Sequence, residues 1–158
     1  MLAGRTIVLG TVAIPIAMLR FFMQGWLEPH GIAPGVGSHF ASLWVLLLIA
    51  LFLLFGGAGR RMEIGYWNAA RWFFALAAWC EILVILGILM SDKLGRETYF
   101  QGPWESVKHN FPTAREHAIG HVQGFWFRLV FELILGFLVF KVARRFCSKC
   151  HPAATTPP

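Results

Sequence analysis

The sequence predicts an all-α integral membrane protein in which four transmembrane helices form an antiparallel bundle. Three observations carry that expectation. Apolar residues make up 57% of the 158 and charged residues 14%, against about 45–50% and about 25% in soluble domains. Mean hydropathy is +0.60, more hydrocarbon than so short a soluble chain can hide. The apolar residues also gather into four continuous runs with Lys and Arg at their ends, the flanking pattern of membrane spans. Ordinary soluble enzymes and disordered chains are excluded on these grounds. The sequence pI is near 9.8, but the basic residues form no patch interleaved with aromatics, so no nucleic-acid partner is expected.

The spans cover about 6–26, 40–58, 69–90 and 118–140, each near the length of about 20 apolar residues that a bilayer requires. The first carries Pro15, which is expected to kink it, and Arg20. Its apolar run is long for a signal peptide and no small-x-small site follows, so it reads as a retained anchor. The second holds the uninterrupted run LWVLLLIALFLLF. Runs this continuous do not fit barrel strands, which alternate over about 10 residues. Residues 1–146 thus form one membrane domain. Residues 91–117 are an ordered exterior loop, and the Cys/His-bearing tail 147–158 ends in PAATTPP, which has nothing to pack.

Orientation follows from the basic residues in short loops. Arg5, Arg60, Arg61, Lys141, Arg144, Arg145 and Lys149 fall on one side, with Arg71 close by; Lys93, Arg96, Lys108 and Arg115 fall on the other. The expected location is the plasma (inner) membrane with both termini cytoplasmic. The exterior loops share a faint repeat, Gln24-Gly25-Trp26-Leu27-Glu28 and Gln101-Gly102-Pro103-Trp104-Glu105. Each is followed by a Pro five residues before a His, Pro34 to His39 and Pro112 to His117. The repeat raises the expectation of two duplicated helical hairpins related by a two-fold axis along the membrane normal.

Charges inside spans cost several kcal/mol unless paired or hydrated. At about 100° per residue, His117, His121, Gly124, Arg128 and Glu132 fall in a stripe about 80° wide on the fourth helix, which must face partner helices or a wet cavity. Glu81 lies at comparable depth on the third helix, and Arg20 and Gln24 share a face of the first. Arg20, Gln24, Glu81, Arg128 and Glu132 are therefore the candidates for ligand contact or for an ion-paired lock, with an i to i+4 pair between Arg128 and Glu132.

The spacing of His117 and His121 allows both imidazoles to reach one metal, with His39 or Glu116 as a third ligand, or allows imidazoles from two helices to clamp a haem. Cys147, Cys150 and His151 spell the haem-attachment pattern CxxCH. The expected cytoplasmic position and the short remainder of the chain disfavour attachment, and zinc shared with another chain is the weaker alternative. Cys80 packs beside Glu81 within the third span.

The leading functional expectation is an accessory or ligand-binding subunit of a larger membrane assembly, with a polar intramembrane site open to the outer leaflet. One alternative is a metal- or haem-binding redox protein using the exterior histidines. Another is a small carrier or lipid-modifying enzyme using the buried Glu and Arg. The expected partners are the bilayer and other membrane subunits or further copies of this chain.

Overall fold

The computed structural model describes residues 2–22, 42–61, 63–95, 98, 100 and 113–150, with backbone only for 148–150. Those residues are all-helical, with no strand among them. The described residues hold four helices: α1 Leu2–Phe22, α2 Leu43–Gly59, α3 Tyr66–Lys93 and α4 Ala114–Cys150. Two of them, α1 and α3, are long and apolar enough to cross a bilayer, and α2 is apolar but shorter.

Local chemistry sets each helix. α1 continues past Pro15, which has no N–H for the Thr11 carbonyl. The nearby Thr6 and Thr11 hydroxyls donate to the carbonyls one turn back, at 3.1 and 2.9 Å. α2 starts after Ser42, whose backbone is extended and whose carbonyl receives the Leu46 N–H. It widens into a π turn over Phe52–Gly56, a geometry that disturbs the regular carbonyl pairing. There the Arg5 Nη1 donates to the Leu53 carbonyl at 2.9 Å, tying α1 to the widened turn. α3 stops where Gly95 adopts a positive φ of 60°, and the Gly95 N–H caps the Asp92 carbonyl.

α4 opens with a reciprocal capping box. The Thr113 N–H and hydroxyl both donate to Glu116 Oε2, and the Glu116 N–H donates to Thr113 Oγ1. The helix then continues to Cys150, so Cys147 and Cys150 extend it instead of beginning the separate tail expected from 147. That tail's remaining residues, 151–158, lie outside the described residues.

Contacts at the helix ends give an up-down-up-down arrangement. The start of α1 meets the end of α2 through Arg5 and Leu53. α1 and α3 run side by side in the same sense, with the Trp79 indole donating to the Gly10 carbonyl at 3.1 Å. The start of α3 meets the later part of α4, where the Tyr66 hydroxyl donates to the Leu133 carbonyl at 2.9 Å. The ends of α2 and α4 meet where Cys147 Sγ donates to the Arg60 carbonyl. One end of the bundle therefore gathers Arg5, Arg60, Arg61, Lys141, Arg144 and Arg145.

The core lies between these helices: Leu47, Leu51, Leu54, Phe55, Phe73, Leu76 and Ile88 are buried, with Ala13, Ala50, Ala58, Ala69 and Ala77 fully enclosed among them. Small residues at such crossings let backbones approach closely. Two glycines are required for that reason. A Cβ on Gly59 would lie 2.5 Å from the Phe140 carbonyl oxygen, and one on Gly136 would lie 2.5 Å from the Phe55 ring.

The packing does not repeat in the way a two-fold axis relating α1 to α3 and α2 to α4 requires. α2 packs on α3, whereas α1 and α4 share no comparable contact. The loop residues that suggested duplication, Gln24 to Glu28, Pro34, His39, Gln101 to Glu105 and Pro112, lie outside the described residues.

Candidate functional site

The polar site forms where the middle of α3 faces the first half of α4. Glu81 is buried on α3, 5% exposed, and its two carboxylate oxygens are divided between two partners. His121 Nδ1 sits 3.0 Å from Oε1, and Arg128 Nη2 donates to Oε2 at 2.6 Å. His121 and Arg128 are seven residues apart on α4, nearly two turns. A single carboxylate reaches both because the long guanidinium side chain extends back toward the imidazole. With Glu81 ionised, His121 Nδ1 is the donor, which leaves Nε2 as the uncommitted ring nitrogen.

Glu132 lies on the far side of the same guanidinium. It is 2% exposed, and its Oε1 is 3.6 Å from Arg128 Nε, beyond hydrogen-bond range. Trp44 on α2 approaches the carboxyl without reaching hydrogen-bond geometry, so both Glu132 oxygens lack a donor among the described residues. Arg128 itself, its side chain 29% exposed, gives one N–H to Glu81 and has its Nε unsatisfied. The guanidinium also stands over the Phe125 ring, 5.7 Å from its centroid. Two carboxyls thus flank one guanidinium, and most of its five N–H donors remain uncommitted within the described residues.

Outward of this cluster α4 carries a groove of about 300 Å³, lined by His117, Gly120, His121, Gly124, Phe125 and Arg128. The two glycines create it by withholding side chains. A Cβ on Gly124 would meet nothing within 4 Å. His117 lies one residue outside the apolar stretch 118–140 and is buried. Burial, and secondarily the neighbouring His121, hold its imidazole below the usual range. The two imidazole rings lie 5.1 Å apart, centroid to centroid.

Of the residues singled out in the sequence, Glu81, Arg128 and Glu132 come together, joined by His121. Arg20 is placed elsewhere, with its guanidinium over Phe100 at 5.2 Å. Gln24, His39 and His151 lie outside the described residues, and Cys150 is described only as helical backbone. Cys147 stands at the opposite end of the bundle, against Arg60.

The expected metal set is placed only in part, because His39 lies outside the described residues. Glu116, a proposed third ligand, is engaged in the capping box, and His121 has its Nδ1 on Glu81. No group of three or more His, Cys, Asp or Glu is placed to hold a metal among the described residues. Sequence reasoning missed the His121–Glu81 contact. The signal available was weak: both residues fall on faces already assigned inward.

No family model matches this chain, and no curated protein or solved structure matches it.

Proposed function

We propose that this chain is a four-span integral protein of the plasma (inner) membrane. Both termini are cytoplasmic, and it serves as a small ligand-binding subunit whose site opens toward the outer leaflet. The observation that carries the reading is the groove on α4. It is polar on its His117, His121 and Arg128 side, is backed by Glu81, and is cut into an otherwise apolar exterior.

Membrane placement is supported by that exterior. Trp67 is 74% exposed, Phe127 83% and Phe131 65%, with Ile7, Val130 and Ile134 alongside. So many large exposed apolar side chains on several helices are unusual for a soluble monomer. Orientation is supported by the basic residues collected at one end of the bundle, the end that belongs inside. The groove lies toward the other end.

A second reading, a small carrier or lipid-modifying enzyme working through Glu81, Arg128 and Glu132, is favoured by the buried carboxyl of Glu132. Ionisable groups left unmatched in such surroundings tend to mark substrate or ion paths.

The test is retention of a small molecule by protein extracted from membranes in mild detergent, with mass spectrometry of the bound fraction. Wild-type protein is expected to resist carbonate extraction and to carry a ligand that Gly124→Leu, which fills the groove and leaves Glu81 untouched, releases. Protein washed from membranes by carbonate overturns the placement. A bound fraction identical in wild type and Gly124→Leu overturns the groove as the binding site.

A further inference from the structure

We infer that a second groove, between α2 and α4 at the basic end of the bundle, holds one anionic phospholipid of the cytoplasmic leaflet. An acyl chain lies in the groove, and the phosphate sits on Arg60. The inference rests on the proposed membrane placement and orientation, and it concerns a site at the opposite end from the His121 groove.

The second groove has a volume of about 540 Å³ and runs past Phe52, Gly56 and Arg60 on α2 and Leu138, Val142 and Phe146 on α4. That volume falls within the range of ligand pockets, about 300–1,000 Å³. The three α2 residues are spaced by four, so their stripe extends about 12 Å along the helix. Gly56 makes room by withholding a side chain, since an added Cβ would meet only Val139 Cγ1, at 3.7 Å. Close packing of Gly59 on Phe140 and the bond from Cys147 Sγ to the Arg60 carbonyl hold the two helices together there. Phe52, Leu138, Val142 and Phe146 are all exposed, so the groove is open on the side where a bilayer would stand.

The order of side chains along the groove selects its occupant. Every lining residue is apolar except Arg60, which stands at the C-terminal end of α2. An apolar helix from a second copy would fill the lower part and press hydrocarbon on the guanidinium, an expensive contact for a charge. An amphiphile with a negative head matches both parts at once. Its chain points toward the middle of the bilayer and its head reaches the interface.

A phosphate suits the head. The Arg60 side chain has no hydrogen bond or ion pair among the described residues, and a guanidinium can give a phosphate two parallel N–H bonds. Arg5, Arg61, Lys141, Arg144 and Arg145 stand at the same end, with Glu63 the one acidic residue there among those described. Lys141 and Arg144 lie over the Phe137 and Phe140 rings, so they add to the positive field without lining the groove. That field favours an anionic lipid over a zwitterionic one. Anionic lipids concentrate in the cytoplasmic leaflet, where basic pockets between spanning helices take their heads.

The experiment is native mass spectrometry of the full chain, released from micelles doped equally with phosphatidylglycerol and phosphatidylcholine of the same acyl chains. Wild type is expected to retain one phosphatidylglycerol, preferred about fivefold, the worth of one basic side chain at an anionic surface. Arg60→Gln should abolish the preference, and Arg144→Gln should keep most of it. Gly56→Leu, which fills the groove, should lose both lipids, and Val142→Trp on the facing wall should do the same. Gly124→Leu should retain phosphatidylglycerol as wild type does.

Equal loss of preference in Arg60→Gln and Arg144→Gln would reveal a diffuse basic surface and overturn the site. So would wild-type retention by whichever of Gly56→Leu and Val142→Trp folds. Displacement of the lipid by glycerol phosphate would assign the binding to the head alone and overturn the seated chain. A lipid-free dimer that Gly56→Leu dissociates would place a second copy in the groove instead. Wild-type protein washed off by carbonate overturns the membrane placement itself, whereas protein that stays in the membrane and shows no lipid preference overturns this site alone.

Discussion

Arg128 donates from Nη2 to Glu81 at 2.6 Å, across the contact between α3 and α4. That bond couples packing to chemistry. It joins the two helices near their middles, and it is the shorter of the two ion pairs that flank the guanidinium, Glu132 lying 3.6 Å from Nε on the other side. Everything that enters the adjoining groove meets a guanidinium already held by a carboxylate.

Breaking the pair from one side should be worse than removing it. Glu81→Leu leaves the guanidinium without its partner and is expected to lose about 3 kcal/mol, within the range for broken buried pairs. The double variant Glu81→Leu with Arg128→Leu is expected to recover much of that loss. Denaturation of purified protein in micelles gives both values. A double variant no more stable than the single one would contradict the pairing.

The crossing of α2 and α4 is held close by Gly59. Because an added Cβ there would strike the backbone oxygen of Phe140, Gly59→Ala is expected to lose about 1–3 kcal/mol, the usual cost of overpacking. Gly124→Ala is the control. Its Cβ meets nothing, and alanine is the better helix former, so stability should be unchanged or slightly raised. Thermal midpoints measured side by side distinguish the two.

Arg5 closes the widened turn of α2 through the Leu53 carbonyl. Arg5→Leu should cost about 1 kcal/mol, the net value of one hydrogen bond to an exposed charged donor. Hydrogen exchange at residues 53–57 should accelerate while the α3–α4 contact stays protected. Uniform acceleration across the chain would show that Arg5 does more than satisfy one carbonyl.

Cys147 lies at the basic end beside Arg60. In intact cells a membrane-impermeant maleimide added outside should leave it unmodified, and permeabilisation should expose it. Labelling from outside would reverse the orientation and place CxxCH where haem attachment occurs.

Much of this architecture was legible in the residues alone. The run LWVLLLIALFLLF is helical as expected, with Leu47, Leu51, Leu54 and Phe55 inward and Trp44, Ile49 and Phe52 outward, and the periodic placement of His117, His121, Arg128 and Glu132 puts them on one face whatever surrounds them. That follows from the fixed 3.6-residue turn, a local property that any sequence reveals. The basic residues likewise mark one set of helix ends before any fold is known.

Which partner each inward group takes was decided only by the tertiary structure. Arg20 and Arg128 were both candidates for ligand contact or an ion-paired lock, yet one rests over Phe100 and the other on Glu81. His121 and Glu116 were both candidates for one metal site, and the structure places His121 Nδ1 on Glu81 and Glu116 in the cap of its own helix. Helical periodicity sets the direction in which a side chain leaves its axis. The rotation and offset of neighbouring helices, settled by contacts such as Gly59 against Phe140 and Trp79 against Gly10, determine what that side chain meets. Those offsets are collective outcomes of packing, and no single stretch of sequence contains them.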